Sequence, residues 1–193
     1  MASKAVQMIF VALGAVGLMM VIICCALPEW AVGHFSGYYI YPELDVHVGL
    51  WKACMTYRTG LQLCETYESV KQISPPHGSR AMTVTSCILC GLSLLLLIFG
   101  SDFTPCVQNQ DTKPKLILAA AVGLTLAGLL VIIPVSWETN PPVLLEEMRQ
   151  GASIYIGYVA GLMLILTGVL LCCFSRPGSS SFGGTVSCLR NRV

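Results

Sequence analysis

Four uncharged apolar stretches constrain this chain more than anything else in it: residues 7–28, 81–101, 116–137 and 152–174. A helix rising 1.5 Å per residue needs about 20 residues to cross a hydrocarbon core of about 30 Å, and each stretch is just long enough for one crossing. The rest of the composition agrees. Of 193 residues, 55% are hydrophobic and only 11% charged, with mean hydropathy +0.73; a soluble domain carries about 25% charged residues. An apolar excess of this size is hidden by lipid, not by the chain's own core. The first stretch exceeds the apolar region of a secretory signal and is preceded only by Lys4, so it reads as a span. A net charge of +1 gives no basic face for nucleic acid, which is excluded as a partner; membrane lipid takes its place.

Four spans put both termini on one side. Lys4, Lys113, Lys115, Arg176, Arg190 and Arg192 lie with the termini, against Lys52, Arg58, Lys71, Arg80 and Arg149 in the opposite loops. The short segments beside the spans decide orientation. The 102–115 connection carries two lysines and the tail 175–193 three arginines, so these segments and residues 1–6 are read as cytosolic. Every acidic residue except Asp102 and Asp111 then falls outside. The outer segments are a long first loop, 29–80, and a short second one, 138–151.

Cysteines sort by compartment. Of the ten, only Cys54 and Cys64 lie in the outer loops, where an oxidising environment preserves a disulfide, and they are expected to be bonded. Cys24, Cys25, Cys87 and Cys90 lie in or at the ends of spans, and Cys87 to Cys90 reads as small apolar packing, not as a redox or metal motif. Cys106, Cys172 and Cys173 sit at the cytosolic boundary, a position suited to palmitoylation. Around the outer pair the chain has β texture: residues 51–58 and 61–68 are rich in aromatic, Thr and branched residues. Placing Cys54 opposite Cys64 leaves Arg58, Thr59 and Gly60 as a three-residue connection, with Gly60 at the position that needs a left-handed backbone. That register puts Trp51, Met55, Tyr57, Leu61, Leu63, Glu65 and Tyr67 on one face. His34, His47 and His77 show no metal-ligand spacing and read as scattered surface residues. Nucleophile and base do not come together in the outer loops, so no enzyme and no cofactor are expected. Gly14, Gly17, Gly123, Gly128, Gly157 and Gly161 offer close helix approach, expected to hold the monomer together.

Leu27, Pro28, Glu29 and Trp30, then Gly49, Leu50, Trp51, Cys54 and Cys64, form a W…GLW-x2-C-x9-C pattern that resembles the claudin family of tight-junction proteins. Arg80 and Ala81 at the second span, Pro134 to Trp137 ending the third, and Gly151 to Tyr155 opening the fourth extend the match over residues 5 to about 174. The resemblance implies an all-α transmembrane four-helix bundle, left-handed, capped by a small extracellular antiparallel β-sheet built from both outer loops. It implies a plasma-membrane protein of tight junctions that polymerises with the same or related claudins in one membrane, adheres to claudins of the opposing cell, and forms a paracellular barrier or ion-selective pore. The family signature falls on Trp30, Gly49, Leu50, Trp51 and Arg80. By the same resemblance Glu65, the acid directly after the second cysteine, governs ion selectivity in favour of cations; Val70 makes the cis-assembly contact; and Val193 docks a PDZ scaffold. Peripheral-myelin-protein-like proteins and channel gamma subunits share parts of the pattern, and their alternative is an accessory tetraspan that binds another membrane protein laterally. Tetraspanins, whose large cysteine-rich loop is the second, do not fit. This sequence departs from the family in three places: Leu63 stands before the second cysteine, the terminal tyrosine is replaced by Arg192, and only Glu138 and Thr139 separate Trp137 from Asn140 and Pro141. The last departure removes the aromatics that receive the Val70 contact in the family.

Overall fold

The computed structural model describes residues 4–35, 44–57, 59–66, 77–101, 112–138 and 148–175. Four helices dominate it: α1 (Lys4–Ala26), α2 (His77–Gly100), α3 (Lys113–Glu138) and α4 (Ala152–Ser175). All four are long and apolar enough to cross a membrane. Their limits differ from the apolar stretches for a simple reason: hydrophobicity selects what lies in lipid, whereas backbone hydrogen bonding runs on past it. The helix α2 starts at His77 and so takes Arg80 out of the loop and into its first turn. The opposite happens at α1, which stops at Ala26, short of residue 28. There the Leu27 N–H donates a last bond to the Ile23 carbonyl at 3.0 Å, and Pro28 disfavours helical geometry at the residue before it.

The helix α3 packs extensively against α2 and α4, while α1 lies mainly on α4 and less on α2. Lipid supplies no hydrophobic drive for this association, so it depends on close packing. Glycines provide it. A methyl group at Gly161 would come within 2.7 Å of the Ile132 side chain, one at Gly128 within 2.7 Å of the Gly161 carbonyl, and one at Gly17 within 2.6 Å of Leu164. Each of these faces another helix of the same chain, which is the role expected of them. Ser86 adds a bond from its hydroxyl to the Ala127 carbonyl at 2.7 Å, joining α2 to α3. Cys24 and Cys90 are wholly buried in the bundle core, as packing residues should be.

Five antiparallel strands cap one end: β1 (Ala31–Phe35), β2 (Leu44–Val48), β3 (Lys52–Tyr57), β4 (Gln62–Thr66) and β5 (Met148–Gln150), in the order β4-β3-β2-β1-β5. The sheet therefore draws on both connecting segments that the sequence places on the same side, since β5 pairs with β1 as Ala31↔Gln150 to Gly33↔Met148. The β3–β4 hairpin has the expected register, Cys54↔Cys64, with Leu61 accepting the Tyr57 N–H at 2.9 Å. Gly60 holds φ +81°, the left-handed conformation that glycine adopts without strain.

Candidate functional site

The junction between bundle and sheet gathers the signature residues, and the reason lies in the end of α1. The last four carbonyls of a helix have no partner within it. Ile23 is satisfied by Leu27 N–H; the next two are satisfied by indoles. Trp30 Nε1 donates to the Cys24 carbonyl at 2.9 Å, and Trp51 Nε1 donates to the Cys25 carbonyl at 3.0 Å. The two tryptophans, 21 positions apart in sequence, thus cap one helix terminus side by side. They do so in different surroundings, since Trp30 is 3% exposed and Trp51 43%. Arg80, delivered by the first turn of α2, holds its guanidinium carbon 5.9 Å from the Trp51 ring centroid, a cation–π distance.

Gly49 and Leu50 complete the arrangement. The Gly49 N–H donates to the Lys52 carbonyl at 3.0 Å and turns β2 into β3. Its α-carbon lies so close to Pro28 that a methyl group would overlap the Pro28 backbone. That turn drives Leu50, 1% exposed, into the buried cluster that contains Val21 and Cys24 of α1, Val135 of α3 and Ile154 of α4. The peptide backbone ties the third side. Trp30 N–H donates to the Val48 carbonyl at 2.8 Å, the Trp30 carbonyl accepts from Gly151 at 3.0 Å, and the Glu29 carbonyl accepts from Ser153 at 3.1 Å, satisfying one of the free N–H groups that open α4. The sheet is therefore fixed to the ends of α1 and α4 by backbone and indole hydrogen bonds rather than by loops alone.

Beyond this anchor the sheet has two unlike faces. One carries Ala31, Val46, Val48, Ala53 and Met55, which pack together; the pairings Val48↔Ala53 and Ala53↔Glu65 set Glu65 on the outer margin of this same face. Glu65 is exposed on the edge strand β4, and among the described residues no ion pair involves it. Lys52 stands opposite Thr66 and so on the other face. The register sets Met55, Tyr57, Leu63 and Glu65 on this face as expected; Trp51 and Leu61 lie just outside β3 and β4, and the Trp51 indole turns toward α1 to hydrogen-bond the Cys25 carbonyl. The reading also passed over Ala53, small enough to be overlooked and central to the cluster. Tyr67 lies outside the described residues.

The second face is polar. It carries the Cys54–Cys64 disulfide, His47 opposite Cys54, and a hydrogen bond between His34 Nδ1 and Asp45 Oδ1 across β1 and β2. His34 is a surface residue, as expected, with its side chain 72% exposed, and the pairing His34↔Asp45 sets it beside a carboxylate. Alternation in 31–35 and 44–48 was the signal that could have found it. Among the described residues no group of three or more His, Cys, Asp or Glu side chains is placed to hold a metal.

At the opposite end of α4, Cys172 is half-buried against the core and Cys173 exposed. Val70, Cys106 and Val193 lie outside the described residues, as does the segment 139–147 that departs from the family pattern.

A family model for the PMP-22/EMP/MP20/Claudin family matches residues 4–171, from the start of α1 into the last turn of α4. The chain belongs to that family. It is similar to claudin-4 of Homo sapiens, 37% identical over 187 residues that cover 92% of this chain and 90% of the relative. It is similar also to claudin-3 of Homo sapiens, 34% identical over 184 residues covering 90% and 84%. Claudin-like protein ZF-A89 of Danio rerio is 35% identical over 183 residues, covering 90% and 88%. The chain is a tight-junction claudin, a multi-pass membrane protein whose family role is structural or barrier-forming.

Proposed function

We propose that this tight-junction claudin polymerises at cell–cell contacts, with itself or related claudins, and lets cations pass between cells along a path that Glu65 lines. The observation that carries the reading is the position of Glu65: exposed, on the edge strand, at the margin of an apolar face, with the one nearby base of the hairpin in the described residues, Lys52, on the other side of the sheet. Narrow pores select by the charged side chains that line them. Screening limits such influence to about 8 Å in physiological salt, so a base on the far face does not cancel an acid on this one.

The orientation follows the positive charges: sheet outside, both termini cytosolic. The disulfide supports it, because the bonded cysteines sit in the sheet and those of the helices are free. Within this reading Val70 makes the contact between protomers in one membrane, Val193 adds its carboxylate terminus to a PDZ groove, and Cys106, Cys172 and Cys173 take palmitate, Cys173 most readily because it is exposed. The alternative, an accessory tetraspan that binds another membrane protein laterally, is separated by expression in junction-free fibroblasts followed by freeze-fracture imaging. Continuous strands at cell contacts are expected. A diffuse distribution with one laterally co-purifying partner would replace polymerisation with the accessory role.

A further inference from the structure

Three large aromatic side chains project from the sheet end of the bundle at one level. Trp137 lies at the end of α3 and Tyr155 in the first turn of α4; they are 55% and 60% exposed, and Trp51 is half-exposed. Their heights follow from the helix contacts. A methyl group at Gly157 of α4 would meet the Val135 side chain of α3 at 2.8 Å, so these two residues lie abreast. Two residues further toward the sheet along each of these opposed helices, Trp137 stands level with Tyr155. The Trp137 ring also lies beside Gly78 in the first turn of α2, where an added methyl would be 3.9 Å from it. Trp51 caps Cys25, the penultimate residue of α1, with its ring 5.9 Å from the guanidinium carbon of Arg80, two residues along α2 from Gly78. The rings thus flank the end of α1, the seam between α2 and α3, and α4.

This exposure is selective. The third tryptophan, Trp30, is buried and donates to Cys24; Tyr158, one turn further along α4, is half-buried and its hydroxyl donates to Ser136 at 3.3 Å. Among the described residues, the half of each helix away from the sheet carries no Trp or Tyr, and its exposed rings are those of Phe99 and Phe174.

We propose that Trp51, Trp137 and Tyr155 form a girdle that binds the headgroup and ester layer of the phospholipid leaflet on the sheet side. The apolar faces of Trp and Tyr suit the edge of the hydrocarbon and their polar tips the wet ester layer, which is why these residues collect at that depth. The lengths agree. From Trp137 to Lys115 is 22 residues of α3, about 33 Å, and from Tyr155 to Phe174 is 19 residues of α4, about 29 Å, against a hydrocarbon core of about 30 Å. The girdle also bears on the sheet. Trp51 caps α1 and meets lipid at once, and backbone bonds tie Trp30 to Val48 and Gly151, so the base of the sheet is held at headgroup height. This inference holds for either membrane orientation and is independent of whether the protein seals or conducts.

Tryptophan fluorescence tests it in the full-length protein reconstituted into phosphatidylcholine vesicles. The lipids are brominated either near the ester end of their acyl chains or further toward the bilayer centre. The wild-type protein should be quenched more strongly by the shallow bromines than by the deep ones. Trp51→Phe and Trp137→Phe should each keep that preference through the remaining ring. The double variant, left with buried Trp30, should lose nearly all lipid quenching, and Tyr155→Trp in that background should restore the shallow preference. Deep bromines that quench as strongly as shallow ones would overturn the proposal, as would quenching by iodide in the water with lipid bromine ineffective. Rings that neither quencher reaches, the result expected if a second copy of the chain covers them, would overturn it too. If a variant fails to fold, the wild-type comparison of the two lipids decides, because Trp30 is buried.

Discussion

Replacing Trp30 by Phe isolates the hydrogen bond that joins the sheet to α1. The ring stays aromatic, but the Nε1 donor to Cys24 disappears and the carbonyl remains buried with no indole to meet it. Leaving a buried acceptor unsatisfied costs about 1–3 kcal/mol. The smaller ring adds a cavity of about 40 Å³, worth roughly 1 kcal/mol at the cost per volume measured for core truncations. The total is about 2–4 kcal/mol. Trp51→Phe removes a similar bond at a half-exposed position, where water can replace the donor, so its cost stays near the net value of one hydrogen bond, about 0.5–1.5 kcal/mol. Thermal unfolding of the purified protein in detergent, followed by a thiol-reactive fluorophore that reports exposure of buried Cys24 and Cys90, measures both. At about 2–4 °C per kcal/mol for a chain of this length, Trp30→Phe should lower the midpoint by about 4–16 °C and Trp51→Phe by clearly less. Equal shifts, or a larger one for Trp51→Phe, would show that the capping bonds do not hold the junction as described.

Gly49→Ala should abolish delivery of folded protein to the surface, because the added methyl meets the Pro28 backbone; trafficking by surface biotinylation reads this, and normal delivery would mean that the turn can move. Cys54→Ser should lose the roughly 2–3 kcal/mol that closing a loop of about ten residues contributes in the chain-entropy model, seen as a lower unfolding midpoint in the same thermal assay. If Val70 makes the contact between protomers, Val70→Ser should shorten strands in freeze-fracture images, and long unbroken strands would show that another surface assembles them. Deleting Val193 should reduce co-precipitation with a PDZ scaffold, and unchanged recovery would remove the tail from the account.

The spans were legible because hydrocarbon thickness fixes the length of a crossing helix, and uncharged stretches of that length have few other uses. The hairpin was legible for a different reason: one disulfide spacing and one glycine, Gly60, agreed on a single register. The other three strands were not. The strands β1 and β2 alternate, but no cysteine pair sets their register; β5 is Met-Arg-Gln with no alternation to read, and its pairing with β1 joins segments more than a hundred residues apart. Only the family resemblance implied a sheet drawn from both loops. The anchor was half-visible in the same way. Trp30, Gly49, Leu50, Trp51 and Arg80 stood out as a pattern, but nothing in the spacing of two tryptophans says that both indoles end on adjacent carbonyls of one helix.

The central claim is that Glu65 lines the ion path, and the dilution potential of an epithelial monolayer expressing the protein tests it most directly. A unit charge about 5 Å from a passing ion in a water-like medium changes that ion's occupancy about fourfold. Glu65→Gln should therefore lower the sodium-to-chloride permeability ratio several-fold with strands intact, while Glu43→Gln leaves it nearly unchanged. An unaltered ratio in Glu65→Gln, with strands still present, would contradict the account.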